Sequence, residues 1–321
     1  MGWEVIRVKM ESPTPLASDI GQRVSIRLRE DGGLRDILGI LEALNSVRKK
    51  DGSLEKFDPV HIAAWRIVSP VSQKAGTGAP TSIRINEIEQ SLENTWPAEE
   101  IITRGGWRYR LSSGFTYRAN SIIPFGKLPL GQPLLPYSEE IQYAIKEFES
   151  RGLVPTFHLP LPAYAELDEA LERDGWELII DAHILIADTL DIPTPPLAAE
   201  FTFVVEDYPS DQWLAVQGDS VGKKIMSAYP AKYISISHRS ELIATGRVAD
   251  SDGWAVLSRI FIKEEFRGKG LARPLLGELV KNSPSTKSAL QVDISNSPAI
   301  HLYATSGFRA HHIYRYRSYK G

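Results

Sequence analysis

An apolar run over residues 256–262 breaks into the loop Arg267-Gly268-Lys269-Gly270-Leu271-Ala272, after which Leu271, Leu275, Leu276, Leu279 and Val280 recur at helical spacing. The run predicts a strand and the recurrence a helix over 271–280. The two glycines between them let the backbone turn tightly and bring a ligand close to its amides. The helix starts with unpaired N–H groups and the positive end of its dipole facing the turn. A strand, a glycine-rich turn and a helix start form an anion site that suits a pyrophosphate. Pro274 falls in the first helical turn, where its missing N–H costs little. Alone, the segment also fits an ordinary strand-helix connection with a solvated tip.

The residues that follow narrow the choice. A second strand over 289–293 ends near Asn296, and a short helix then carries Leu302 and Tyr303 and closes at Gly307-Phe308. Arg-x-x-Gly-x-Ala (Arg267, Gly270, Ala272), a strand, then Asn-x-x-Ala-x-x-Leu-Tyr-x-x-x-Gly-Phe (Asn296, Ala299, Leu302, Tyr303, Gly307, Phe308) resembles the GNAT family of N-acetyltransferases. The resemblance spans residues 201–321. It implies acetyl-CoA as co-substrate and no metal. It puts the coenzyme A pyrophosphate on the amides of Phe266, Arg267, Gly268, Lys269, Gly270, Leu271 and Ala272. It puts the pantetheine arm on the strand edge of Arg259, Ile260, Phe261 and Ile262, with Asn296 nearby. Tyr303 matches the family's general acid: a phenol can return a proton to a departing thiolate. It also reads as a Tyr packed beside Leu302. Many relatives carry a strand Glu twelve residues before the Tyr, where this chain has Gln291, which accepts no proton. The base is then Asp293, Glu264 or Glu265, or a chain of waters, although such carboxylates are more often solvated surface charges.

Composition narrows the class. With 321 residues, 42% hydrophobic and 24% charged, the chain has material for two or three domains with full cores. A net charge of −3 gives no basic surplus for nucleic acid. There is no apolar stretch long enough to span a membrane, and the N-terminus reads as neither a signal peptide nor a myristoylation site. The expectation is a cytoplasmic protein. The absence of cysteine excludes disulfides, thiolate metal sites and a cysteine nucleophile.

Along the chain, residues 22–29 alternate polar and apolar as a half-buried strand. With further apolar runs at 34–44 and 60–68, and turn signals at Asp31-Gly32-Gly33 and Lys50-Asp51-Gly52, residues 1–70 read as a small β-barrel resembling the Src-homology-3 type. Bracing is the safer role, since such a fold names no ligand. Residues 71–82 read as a flexible linker.

Residues 83–195 read as a worn copy of 196–321. Gly175-Trp176 falls where Gly307-Phe308 does, Leu171 replaces Tyr303, and residues 137–151 supply the helix. The glycines at Gly126 and Gly131 lack the anion-loop pattern, so this copy should not catalyse. Residues 191–196, rich in proline, read as a stiff connector.

In Trp107-Arg108-Tyr109-Arg110 and Gly114-Phe115-Thr116-Tyr117-Arg118-Ala119-Asn120-Ser121, arginines alternate with aromatics. This fits a strand with one wet face, or an acceptor pocket in which Arg118 or Arg110 grips a carboxylate. Over nearly the whole chain the pattern resembles actinobacterial GNAT proteins with a barrel, a degenerate GNAT half and an active one, some of them N-acetylglutamate synthases. The expected fold is mixed α/β: a small barrel, then two GNAT-like units, the second active.

The resemblance implies acetyl transfer to a small-molecule amine, L-glutamate for preference, with Arg259, Arg118 and Asn120 as substrate contacts. No nucleic-acid or membrane partner is expected, and a homodimer is left open. Two other readings stay in view. One is a GNAT acting on a protein lysine, an aminoglycoside or a thiol-conjugate precursor. The other is a non-catalytic CoA-binding interaction protein.

Overall fold

The computed structural model describes residues 14–30, 33–49, 52–68, 75, 81–125, 135–218 and 222–320. The chain divides into two units, Met1–Ser72 and Gln73–Gly321.

The first unit holds β1 (Arg23–Glu30), β2 (Gly33–Ala43), β3 (Ser46–Arg48), β4 (Leu54–Lys56) and β5 (Ile62–Ile67), paired antiparallel in the order β4-β3-β2-β1-β5. The alternation expected over 22–29 is β1, whose Val24, Ile26 and Leu28 are buried against Ile37, Leu41, Val47 and Phe57. Among the described residues β4 and β5 are not paired with each other, so the sheet is seen open and the expected closure into a barrel is not. Asp31, Gly32, Lys50 and Asp51 of the expected turns lie outside the described residues.

The second unit opens with α1 (Thr81–Asn94), β6 (Glu100–Arg104), β7 (Trp107–Leu111), β8 (Ser121–Pro124), α2 (Tyr137–Glu149), β9 (Thr156–Leu161), α3 (Ala165–Arg173) and β10 (Glu177–Asp188). It continues with β11 (Phe201–Glu206), α4 (Asp211–Val216), α5 (Lys223–Ser227), β12 (Lys232–His238), β13 (Glu241–Ser251), β14 (Trp254–Ile262), α6 (Ala272–Lys281), β15 (Lys287–Asp293), α7 (Ser297–Ala304) and β16 (Arg309–Ser318). Both halves run as an antiparallel meander, a helix, a strand parallel to the last meander strand, a helix and a final strand. Their last helices end alike: Gly175 and Gly307 are left-handed, and the next amide returns 3.0 Å to the carbonyl of Leu171 or Tyr303. Glycine is favoured there because other residues are strained at positive φ.

One mixed sheet of eleven strands joins the halves, in the order β11-β12-β13-β14-β15-β10-β16-β9-β8-β7-β6. The final strands are exchanged: β10 of the first half lies against β15, and β16 of the second lies against β9. Residues 191–196 accordingly pack on the second half rather than spanning open space. Ile192 is buried, and a Cβ on Gly277 of α6 would meet Thr194 Cα at 2.7 Å. The linker is anchored too: the Ala75 amide donates to Asp188 Oδ1 at 2.6 Å, and its carbonyl accepts from Arg309. The other residues of 69–80, and Gly126 and Gly131, lie outside the described residues.

β7 departs from the expected wet face. Trp107, Tyr109, Arg110 and Leu111 are all buried, because α2 packs on the face of Trp107, Tyr109 and Leu111, while on the other face Arg108 meets Gln90 and Glu93 of α1. Arg110 donates to Ser121 Oγ at 2.6 Å and faces His158 Nδ1 at 3.1 Å, a role inside the sheet and not at a ligand surface.

Candidate active site

β14 and β15 run parallel and paired from Trp254↔Lys287 to Leu257↔Leu290, and there the pairing stops. Beyond it each strand keeps its outer partner: Phe261 pairs with Thr245 on β13, and Gln291 with Ile184 on β10. The two therefore diverge, and the 259–262 edge faces the gap. The divergence begins at a bulge, where Arg259 has φ 56 and the β13 register slips between Thr245 and Arg247. A non-glycine residue held there is strained, and bulges commonly re-aim side chains beside active sites. Gln217 holds the bulge, its Nε2 donating to the Arg259 carbonyl at 2.8 Å and to Thr245 Oγ1 at 2.5 Å.

At the far end of β14 the strand turns through a short 3-10 segment, Glu264–Phe266, into the glycine loop. Gly268 and Gly270 sit at φ 75 and 74, with open space where a Cβ would project. Among the described residues, the amides of Gly268, Lys269, Gly270 and Leu271 donate to no backbone carbonyl, and no side chain caps α6. Arg267 turns back to the Ile262 carbonyl at 3.2 Å, and Lys269 lies 4.4 Å from the Phe266 ring centroid. Unpaired amides at a helix start, flanked by two cations, fit a pyrophosphate.

Tyr303, on α7, is 7% exposed, and its ring meets Phe308 edge-on at 5.9 Å. Burial pushes its phenol up to about 12, so it stays protonated at working pH. Asn296 caps α7, its Oδ1 accepting from the Ala299 amide at 3.2 Å. Asp293 is exposed and accepts from the hydroxyl and amide of Ser295, which hold its carboxyl below the usual range and make it a weak proton acceptor near neutrality. Glu264 and Glu265 are exposed.

A cleft of about 350 Å³ opens where the halves meet. Trp96, Tyr117 and Arg118 come from the first half, Ser258, Arg259 and Gln291 from the splayed strands, and Tyr314 and Tyr316 from β16. Arg118 lies in the turn Tyr117–Ala119, not on a strand, and donates to Gln291 Oε1. Thus Arg118 and Arg259 share one cleft although the halves are joined edge to edge. Asn120 is not in its lining. Its Oδ1 accepts from Ser112 and Gly114 and its Nδ2 donates to Phe115 and Thr116, so it shapes the loop that presents Thr116 and Arg118. Among the described residues, Arg118 Nε, Ser258 Oγ and Gln291 Nε2 are buried with no hydrogen-bond partner. Such atoms are rare in folded proteins.

Sequence reasoning missed Trp96, Ser258, Tyr314 and Tyr316. It treated Gln291 as a lost base, whereas Gln291 meets Arg118 in the wall of the cleft.

Comparison with known proteins agrees with this geometry. The uncharacterized N-acetyltransferase YobR of Bacillus subtilis (strain 168) is 29% identical over 248 residues, 73% of this chain and 98% of that protein. A GCN5-related N-acetyltransferase from Kribbella flavida has the same fold, with a TM-score of 0.61 at 16% identity over 74% of this chain and 96% of that one. A functionally unknown conserved protein from Staphylococcus epidermidis ATCC 12228 follows, with a TM-score of 0.55 at 11% identity over 70% of this chain and 94% of that one. The chain is an N-acetyltransferase of the GNAT type, whose co-substrate is acetyl-CoA. It belongs to the family described as "Probable histone acetyltransferase Rv0428c C-terminal", whose match covers residues 81–317.

Proposed function

We propose that this enzyme transfers the acetyl group of acetyl-CoA to the amine of a small acidic acceptor, L-glutamate for preference, as an N-acetylglutamate synthase of arginine biosynthesis would. The observation that carries the reading is the cleft wall at the strand divergence, where Arg118 and Arg259 meet and, among the described residues, Arg118 Nε, Ser258 Oγ and Gln291 Nε2 are buried hydrogen-bond donors without partners. A carboxylate supplies the acceptors they lack, and Arg binds it with a planar fork. On this reading the unpaired amides of 268–271, the first turn of α6 and the 259–262 edge hold acetyl-CoA. Asn296 helps chiefly by fixing the start of α7. The neutral amine nitrogen attacks the thioester carbonyl, the carbon–sulfur bond breaks, the Tyr303 phenol hydrogen-bonds the departing sulfur and protonates it, and the proton that the nitrogen loses on becoming an amide returns through water to the phenolate. The first half supplies the acceptor wall and carries no acid, since Leu171 stands where Tyr303 does. The first unit, barrel-like by resemblance, serves as a brace, and the enzyme works in the cytoplasm.

The family description favours a second reading, a protein lysine as acceptor. Trp96, Tyr117, Tyr314 and Tyr316 could enclose an aliphatic stem. The arginines weigh against it, because they repel a lysine ammonium, and Arg118 Nε would gain no acceptor from it. The test is thiol release from acetyl-CoA across the amino acids and a lysine peptide. The proposal expects L-glutamate or another acidic amine to give the highest kcat/KM, and peptide turnover alone would reject it.

A further inference from the structure

Arg247 is the unusual residue of β13. It is fully buried, in a strand whose neighbours Gly246, Val248 and Ala249 are small or apolar. No carboxylate among the described residues forms an ion pair or hydrogen bond with it. Its Nη2 donates to the Thr95 carbonyl at 2.9 Å and more distantly to that of Met226 at 3.5 Å, its Nε donates to the Tyr233 hydroxyl at 3.5 Å, its guanidinium lies 5.2 Å from the Trp96 ring centroid and 5.8 Å from that of Tyr233, and among the described residues its Nη1 is buried without a partner. The charged and titratable groups around it are Tyr233 on β12, Tyr229 after α5, and Arg118. A buried cation is normally paired, because desolvation is expensive. Among the described residues this one has only carbonyls, the Tyr233 hydroxyl and ring faces.

Its place connects it to the cleft. Arg247 pairs across the sheet with Ser258, which lines the cleft wall. Trp96, another wall residue, has Arg247 at 5.2 Å and Arg118 at 5.3 Å from its ring centroid. The carboxylates felt at the cleft floor are Glu89, bound by His312 at 2.9 Å, and Asp293, bound by Ser295; both keep their charge, and three arginines, Arg118, Arg259 and Arg247, stand around the cleft against these two. The potential in the cleft is therefore positive, and little solvent screens the buried source.

We propose that Arg247 sets the field of the acceptor site: from behind the Trp96 wall it favours an acidic acceptor and drives that acceptor's ammonium group to the neutral, nucleophilic form. This rests on the acidic-acceptor reading and explains how the reaction proceeds with Gln291 where a base is expected. The ammonium proton leaves to solvent water on binding, because a like charge disfavours the protonated amine. The neutral nitrogen then attacks, the carbon–sulfur bond breaks, and the coenzyme leaves as the thiol. Arg247 touches neither substrate and is a positioning residue of an electrostatic kind.

The test compares the parent with Arg247→Met, which nearly keeps the volume and removes the charge. With L-glutamate and saturating acetyl-CoA, the acid limb of the kcat–pH profile should move up by about one unit in Arg247→Met, a roughly tenfold loss of kcat below the limb. Calorimetric affinity for glutarate, an acceptor-like dianion without an amine, should fall roughly tenfold in Arg247→Met. An unmoved limb together with unchanged glutarate affinity overturns the proposal. If Arg247→Met does not fold, the parent alone decides: its kcat limb must lie at least about one unit below the amine pKa of free L-glutamate, and a limb at or above that value overturns the proposal. If the parent acetylates a neutral amine and not L-glutamate, the acidic-acceptor reading fails separately, and the glutarate measurement still reads the field.

Discussion

Replacing Tyr303 by Phe removes one hydroxyl from a residue that is 7% exposed and leaves the ring contact with Phe308 in place. Its phenol is pushed up to about 12, while a thiol ionises near about 8.5. Full transfer to a free thiolate is then uphill by about 3.5 pKa units, or about 5 kcal/mol. Tyr303 therefore works as a hydrogen-bond donor to sulfur as charge develops, and passes its proton while the carbon–sulfur bond is breaking. One such donor is worth about 10²–10³ in kcat. Tyr303→Phe should lose that factor, hold acetyl-CoA within about threefold of the parent, and melt within a few degrees of it. Because burial raises the phenol, the kcat–pH profile should show no alkaline limb from Tyr303 below about pH 11. The assay is steady-state thiol release, with a single-turnover check that chemistry is rate-limiting. A kcat within about threefold of the parent under that condition refutes the role and leaves only packing.

Three further outcomes are expected. Gly270→Glu places a carboxylate in the open space at φ 74, strains the loop by about 1–2 kcal/mol, and should weaken acetyl-CoA binding by calorimetry at least about tenfold with little change in melting. Arg118→Lys keeps the charge but loses the planar fork, so KM for L-glutamate should rise at least about tenfold with kcat little changed, in a titration of the acceptor at fixed acetyl-CoA. His158 is buried, and burial depresses its imidazole to about 3, so it is neutral in the fold and charged in the unfolded chain below about pH 6.5. Its contribution is present above that pH and lost below it, about 2 kcal/mol by pH 5; Tm should fall between pH 7 and 5, and less steeply in His158→Gln.

What was legible in the sequence was local. The left-handed glycines at 268 and 270, the helical stripe of α6 and the apolar edge of β14 are each written in a few neighbouring residues, so their spacing sufficed. The cleft was not. Trp96 and Arg118 reach it from one half, Gln291 and Tyr316 from the other, and they meet because β10 and β16 exchange places, which short-range periodicity does not encode. Arg108 and Arg110 look as wet as Arg118 in sequence. Yet Arg110 is buried against Ser121 and His158, while Arg118 turns to the cleft. Arg247 left one trace, a single cation inside the otherwise apolar and small run of β13.

The most direct test is a competition for limiting acetyl-CoA among L-glutamate, L-glutamine and a lysine-bearing peptide at equal concentrations, with the acetylated products resolved by mass. The acceptor cleft predicts that the acetyl group is found chiefly on L-glutamate or a closely related acidic amine, and that Arg118→Lys abolishes this preference. Acetyl on the peptide or on L-glutamine in equal or greater yield would contradict it.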